Sequence, residues 1–134
     1  MGNDTQTTTT SVNNIGVVMF TVTDQDAALA FYSGPLGWDV RGDTRFGENG
    51  EYRWLEVAPP GSTARLALNP PMHGSPGGSA IGVETPDVHA EHARLSAIGG
   101  VDMDPVPDED TSGAPLMFML RDPDGNVVTI VQAP

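Results

Sequence analysis

Residues 17–40, VVMFTVTDQDAALAFYSGPLGWDV, contain a strand and a helix whose pattern returns later in the chain. The apolar, β-rich run leads into a helix that Thr23 or Asp24 can cap, because a short polar side chain accepts a hydrogen bond from an unpaired helical N–H. The glycines of GPLG end this helix. Residues 79–102 repeat the same order, with Pro86 at the helix entry and Asp87 as the predicted cap.

The two segments align without gaps when Asp24 is placed on Asp87. Identical residues then coincide at Ala27 and Ala90, Ala30 and Ala93, Ser33 and Ser96, Gly37 and Gly100, and Asp39 and Asp102. Self-similarity at a fixed offset indicates a tandem duplication. Three further strand candidates, separated by Gly- and Pro-rich turns, follow each helix, so the predicted order is β-α-β-β-β twice.

This order predicts an α+β fold in which two tandem βαβββ modules form a cupped, mostly antiparallel sheet with the helices on the outside. We expect a disordered N-terminal tail over residues 1–12, which are polar and low in complexity, and a single domain over 13–134. Within that domain, module one spans about 13–70, a linker spans 71–78 and module two spans about 79–134.

The composition excludes several classes of function. The 134 residues carry a formal net charge of -12, which opposes binding to nucleic acid or to anionic lipid. Every basic residue is Arg and there is no Cys, so Schiff-base lysine, thiolate and disulfide chemistry are all absent. Neither a membrane-spanning apolar run nor a signal-peptide pattern is visible. We therefore expect a cytoplasmic protein with no nucleic-acid or membrane partner.

Strict alternation in the strands divides their side chains between the helices and the cup. Val18, Phe20 and Val22 are predicted to face the helix, while the intervening side chains face the cup. Aromatic and methionine side chains on the cup face offer stacking area and adaptable walls for a small molecule. The predicted ligand-binding residues are Met19, Thr21, Trp38, Tyr52, Trp54, Glu56, Arg65, Asn69, His73, Met117, Met119 and Thr129.

The opening segment 17–40 resembles that of the vicinal oxygen chelate superfamily, which includes glyoxalases, extradiol dioxygenases and bleomycin resistance proteins. LRDPDGNVVTIVQ, residues 120–132, resembles the family's closing turn and strand. The resemblance implies four metal-ligand positions, one on each of four strands. They fall on Val17, Ala67 (Leu66 if the register shifts by one), Ala80 and Thr129.

None of these four side chains is an ordinary ligand for a divalent metal, which needs imidazole, carboxylate or thiolate. We therefore predict no metal, no cofactor and no catalytic residue. The expected protein resembles the bleomycin-resistance branch: a homodimer that confers resistance by sequestering an aromatic or cationic antibiotic or natural product in a groove without converting it. The methionines and Trp54 are equally compatible with packing in a dimer or module interface, where family members build that groove.

Two alternatives remain at this stage. The first is a glyoxalase- or dioxygenase-type lyase, isomerase or oxygenase with non-standard metal ligands, or with metal-free acid–base catalysis by Glu56 and Glu84. The simpler expectation for these two carboxylates is that each pairs with an arginine or faces water. The second alternative is a regulatory domain that binds another protein at the edge of the cup.

Overall fold

The computed structural model describes residues 9–109 and 112–134. The predicted tail, residues 1–12, therefore lies mostly outside the described residues. The first half contains β1 (Val17–Thr21), α1 (Gln25–Ser33), β2 (Asp39–Phe46), β3 (Tyr52–Ala58) and β4 (Arg65–Asn69). The second half contains β5 (Ala80–Thr85), α2 (Val88–Ile98), β6 (Asp102–Met103), β7 (Met117–Arg121) and β8 (Val127–Gln132).

The strands form two sheets of four, with the orders β1-β4-β3-β2 and β5-β8-β7-β6. In each sheet the first strand pairs in parallel with the last, and the remaining pairs are antiparallel. The α+β class and the repeated βαβββ order are confirmed. The cup is divided, because the described strands of one half pair only within that half.

Both helices begin as the repeat predicts. The Asp24 side chain accepts a hydrogen bond from Ala27 N at 3.1 Å, and the Asp87 side chain accepts one from Ala90 N at 3.0 Å. Each helix then turns one face inward, through Tyr32 in α1 and through its repeat partner Leu95 in α2. Asp24, rather than Thr23, is therefore the first cap.

A core of alternating strand residues lies under the two helices. Phe20, Leu55 and Phe118 are almost fully buried, whereas their strand neighbours Met19 and Trp54 are exposed on the opposite face. The buried residues of both halves form one cluster. Burying each large apolar side chain contributes about 1.5–3 kcal/mol, so a shared core stabilises the two halves together.

One predicted strand is much shorter than expected. The segment 101–107 forms only β6, Asp102–Met103, with an isolated bridge at Asp108. Pro105 and Pro107 lack the backbone N–H that a continuous ladder needs, which explains the early end. Within the described residues, no helix is long and apolar enough to cross a membrane.

Candidate functional site

The predicted ligand-binding residues divide between the two sheets. One group lies on the open face of the first sheet, opposite α1: Met19, Thr21, Tyr52, Trp54, Glu56, Arg65 and Asn69. A second group lies on the second sheet, where Met119 and Thr129 are register partners and Met117 is two residues away along β7. His73 is exposed in the connection between the halves, and Trp38 is buried just before β2.

The open face of the first sheet presents large apolar side chains to solvent. Met19 is 59% exposed, Tyr52 is 57% exposed and Trp54 is 36% exposed. Tyr52 lies beside Phe46, with ring centroids 5.2 Å apart. A contiguous apolar surface of this kind, outside the core, indicates a site for a ligand or for another chain.

A hydrogen-bonded network orders the middle of this face. Trp54 Nε1 donates to Glu56 Oε2 at 2.8 Å, and Arg65 Nε donates to Glu56 Oε1 at 2.7 Å. The Glu56 carboxylate is only 13% exposed, while the Arg65 side chain is 39% exposed. Because both carboxylate oxygens are engaged, Glu56 holds the indole and the guanidinium in fixed positions. The expectation that Glu56 pairs with an arginine is confirmed.

Two predicted contact residues already have partners inside the protein. Asn69 Oδ1 accepts from Leu55 N and from Gln25 Nε2, each at 3.1 Å. Thr21 Oγ1 accepts from Gly77 N at 3.1 Å. These acceptors connect elements of the fold, so Arg65 and Glu56 are the polar groups that remain beside Trp54 among the predicted contact residues of this sheet.

The positions of the implied metal ligands are equivalent in the two halves. In the first sheet Ala67 pairs with Met19, which is two residues after Val17. In the second sheet Thr129 pairs with Gly82, which is two residues after Ala80. The two implied ligand positions in each half are therefore offset by the same two residues. Ala67, not Leu66, occupies the open-face register, because Leu66 pairs with Val18 on the helix side.

The side chains at these positions do not fit a divalent metal. Valine and alanine have no donor atoms, and the Thr129 hydroxyl is a neutral, weak ligand. Over residues 9–109 and 112–134 no group of three or more His, Asp or Glu side chains is arranged to hold a metal elsewhere.

A separate cleft of about 920 Å³ lies between the two halves. Its walls come from the start of β1, the β3–β4 turn and residues 81–84 of β5, and Trp38 and Arg65 are the predicted site residues that line it. Trp38 packs on its inner side against Tyr32, with ring centroids 5.2 Å apart. Trp38 therefore belongs to this cleft and to the core. The part of the sequence that corresponds to the cleft is Pro-Pro-Gly, residues 59–61, which predicts a turn but not a cleft.

Sequence reasoning also missed a buried polar cluster that joins the halves. Tyr32 Oη donates to Asp122 Oδ2 at 3.0 Å, and Asn126 Nδ2 donates to the same oxygen at 3.0 Å. Burial and the nearby Asp122 carboxylate raise the pKa of Tyr32 far above its ordinary value. The DPDGN turn, which the sequence indicates only as the turn before the last strand, thus also connects α1 to the second half.

Comparison with known proteins places these features in a family. The family model for the glyoxalase/bleomycin resistance protein/dioxygenase superfamily matches residues 14–130. The chain belongs to this superfamily, as its resemblance to the vicinal oxygen chelate group implied.

Individual relatives are similar over nearly the whole chain. The uncharacterized protein YetH of Bacillus subtilis is 34% identical over 119 residues, covering 87% of this chain and 95% of the relative. TnmS3, an antibiotic binding protein from Streptomyces sp. CB03234, has a TM-score of 0.75 at 31% identity, covering 94% of this chain and 100% of TnmS3. A superfamily member from Sphaerobacter thermophilus has a TM-score of 0.78 at 28% identity, covering 90% and 97%.

Proposed function

We propose that this protein is a cytoplasmic homodimer that binds an antibiotic or related natural product and confers resistance by holding it unchanged. Two observations support the proposal. The open face of the first sheet carries exposed aromatic and methionine side chains, and no residue at the family's metal positions has an imidazole, carboxylate or thiolate group. The similarity to TnmS3, an antibiotic binding protein, points in the same direction.

The Trp54–Glu56–Arg65 network carries the proposal. A ligand ring that stacks on Trp54 meets an indole whose N–H is already satisfied by Glu56. The Arg65 guanidinium is tied to the protein through Nε, and its Nη atoms make no hydrogen bond with the described residues. They are available for a carbonyl, phenolate or carboxylate oxygen of the ligand. Because the contact groups are held in place before binding, little conformational entropy is lost on binding.

The homodimer completes the groove in this proposal. One chain exposes Tyr52 and Trp54 on its first sheet and Met119, 39% exposed, on its second. Pairing the first sheet of one chain with the second sheet of its partner covers these side chains and produces two identical grooves, as two-fold symmetry requires. Met117, Met119 and Thr129 form the opposite wall, with His73 at the rim.

Stacked rings and a few hydrogen bonds suffice for sequestration. A micromolar dissociation constant corresponds to about -8 kcal/mol. Removing one central aromatic anchor typically costs about 2 kcal/mol or more, which is about 30-fold in affinity. If Trp54 is part of the binding surface, its removal should lower the affinity for the ligand by this factor. If Trp54 is merely exposed, its removal should leave the affinity unchanged.

The test is native mass spectrometry of the untagged protein, alone and with a panel of planar and cationic antibiotics. We expect a dimer that gains the intact mass of one compound per groove, and Trp54→Ala should weaken that complex about 30-fold. Ile98→Ala, which removes another exposed apolar side chain, at the end of α2, is the control and should leave the affinity unchanged. A stoichiometric metal adduct, or a bound compound of altered mass, would instead identify an enzyme.

A further inference from the structure

The junction between the halves is closed by hydrogen bonds at one end, and the cleft lies at the other. At the closed end, Thr21 O accepts from Gly77 N and from Asn126 Nδ2, each at 3.0 Å, which fastens the end of β1 to the second half. At the opposite end, the start of β1 and residues 81–84 of β5 line the cleft. Both are edge strands, so neither has a sheet neighbour on this side.

The cleft is large enough for an organic ligand. Its volume of about 920 Å³ lies within the range of small-molecule pockets, roughly 300–1,000 Å³. A smaller cavity of about 390 Å³ shares Trp38, Val83 and Glu84 with it and continues toward α2. Together they form an elongated groove along the junction of the two halves.

The walls of this groove are mainly apolar. Val18 and Ile81 line it from the two edge strands, the Pro59–Pro60 turn closes one side, and the ring of Trp38 lies at the base. Trp38 is only 9% exposed and is fixed against Tyr32. A rigid aromatic base with aliphatic sides suits a flat, apolar molecule.

One carboxylate in the groove has no partner. Glu84 lines both cavities and is exposed to solvent, and its side chain makes no hydrogen bond or ion pair with the described residues. The other charged groups at the groove are compensated, since Arg65 pairs with Glu56 and Arg94 pairs with Glu91 at 2.7 Å. The uncompensated charge of the groove is therefore a single negative one, which favours a cation.

We propose that this groove is a second binding site, separate from the open sheet face, for a flat apolar molecule that carries one ammonium group. The rings lie against Trp38 and the aliphatic side chains of the edge strands, and the ammonium lies on the Glu84 carboxylate. The inference does not depend on the proposed function, because the groove is formed within one chain and lies between the sheets.

The two tryptophans of the chain report on the two sites separately. Trp38 is in the groove and Trp54 is on the open face. In ¹⁵N-labelled protein each indole N–H gives one signal in the NMR spectrum. The Trp54→Phe variant identifies the Trp38 signal, because it is then the only indole signal that remains. The probes are 2-naphthylmethylamine, a cation at neutral pH, together with the neutral 2-naphthalenemethanol and the anionic 2-naphthoate.

We expect the amine to move the Trp38 signal at concentrations at least ten-fold below those that the alcohol or the carboxylate requires. Glu84→Gln should reduce the affinity for the amine to that of the alcohol. Glu48→Gln is the matched control, because Glu48 lies in the β2–β3 turn at the opposite end of β3 from Pro59, and it should bind the amine like the wild type.

Equal affinities for the three probes, or an unchanged affinity in Glu84→Gln, would overturn the proposal. A response of the Trp54 signal alone would also overturn it while leaving the open-face function intact. Conversely, a charge-selective response at Trp38 without any antibiotic bound at Trp54 would support the groove and refute the proposed function.

Discussion

The β3–β4 and β7–β8 turns occupy the same place in the two modules but connect to different parts of the molecule. The β7–β8 turn reaches across to the first half, where Thr23 Oγ1 donates to Asp124 Oδ1 at 2.7 Å and Tyr32 Oη donates to Asp122. The β3–β4 turn instead stays with its own sheet, because Arg41 donates to the carbonyl oxygens of Ser62 and Pro59 at 2.6 and 2.9 Å.

The difference shows how a duplicated chain loses its symmetry. The repeat partner of Tyr32 is Leu95, which has no hydroxyl group, and the turn that corresponds to DPDGN is Pro-Pro-Gly-Ser-Thr. One junction is therefore closed by buried hydrogen bonds, and the other remains open as the groove. If the closed junction stabilises the association of the halves, substitutions there should lower the free energy of unfolding more than substitutions at the open junction.

Removing the centre of the closed junction should have the largest effect. Asp122 is 5% exposed and accepts hydrogen bonds from Tyr32, from Asp124 N, and from the backbone and side chain of Asn126. Asp122→Ala leaves several buried donors without an acceptor, so we expect a loss of about 4 kcal/mol in the free energy of unfolding, measured by urea denaturation. Ser62→Ala, in the open turn, should cost less than about 1 kcal/mol. Similar losses in Asp122→Ala and Ser62→Ala would mean that the closed junction contributes no more to stability than the open one.

Gly77→Ala should be next in size. Gly77 has a φ of +89°, and a methyl group there would collide with the backbone oxygen of Asp124. Strain and collision together should cost about 3 kcal/mol. Gly78→Ala separates the two effects, because Gly78 has a φ of +84° but open space around its Cβ position. That control should lose only about 1 kcal/mol, and equal losses would show that the close approach is unimportant.

Tyr32→Phe removes one hydroxyl group from the closed junction and keeps the ring in the core. A hydrogen bond to a charged acceptor contributes about 1.5–3 kcal/mol, so we expect the variant to lose about 2 kcal/mol. Tyr52→Phe, on the exposed face, should be near neutral in the same denaturant titration. A near-neutral Tyr32→Phe would mean that the ring, not the hydroxyl, holds this junction.

The same tyrosine predicts a loss of stability at alkaline pH. Burial beside Asp122 raises the pKa of Tyr32 above its ordinary value of 10.0. The folded phenol therefore keeps its proton above pH 10 while the unfolded phenol loses it, so the contribution of Tyr32 is constant below pH 10 and falls above it. The expected slope is about 1.4 kcal/mol per pH unit. Urea titrations between pH 9 and 11 should show a shallower decline in Tyr32→Phe, and an identical decline would refute this assignment.

Removing the hydrogen bonds between Arg41 and the β3–β4 turn should have the smallest effect on stability. A β-bulge between Val40 and Gly42 directs Arg41 toward the β3–β4 turn. Arg41→Gln removes both hydrogen bonds from a partly exposed site, so we expect a loss of about 1 kcal/mol, with Arg45→Gln on the same strand as the control. Because the turn forms one wall of the groove, the amine probe should also bind more weakly in Arg41→Gln. An unaltered affinity would mean that the wall is set by the prolines alone.

Local chemistry was sufficient for much of the fold. The caps at Asp24 and Asp87 and the alternation that exposes Met19 and Trp54 depend on residues close in sequence, so their patterns could be read directly. The length of β6 was not predicted, since two prolines ended a run that was otherwise apolar enough to form a strand. The lack of imidazole, carboxylate and thiolate groups at Val17, Ala67, Ala80 and Thr129 is likewise a property of the residues themselves.

The sequence by itself determined the two modules, their helix starts and the chemical character of the open faces. Only the tertiary structure decided that Glu56 joins Trp54 to Arg65, that Tyr32 reaches Asp122, and that one end of the junction stays open. The physical reason is how far apart in the sequence the interacting residues lie. Capping and alternation are set within a few residues, whereas these contacts depend on strand register and on how two similar halves pack, which no local pattern specifies.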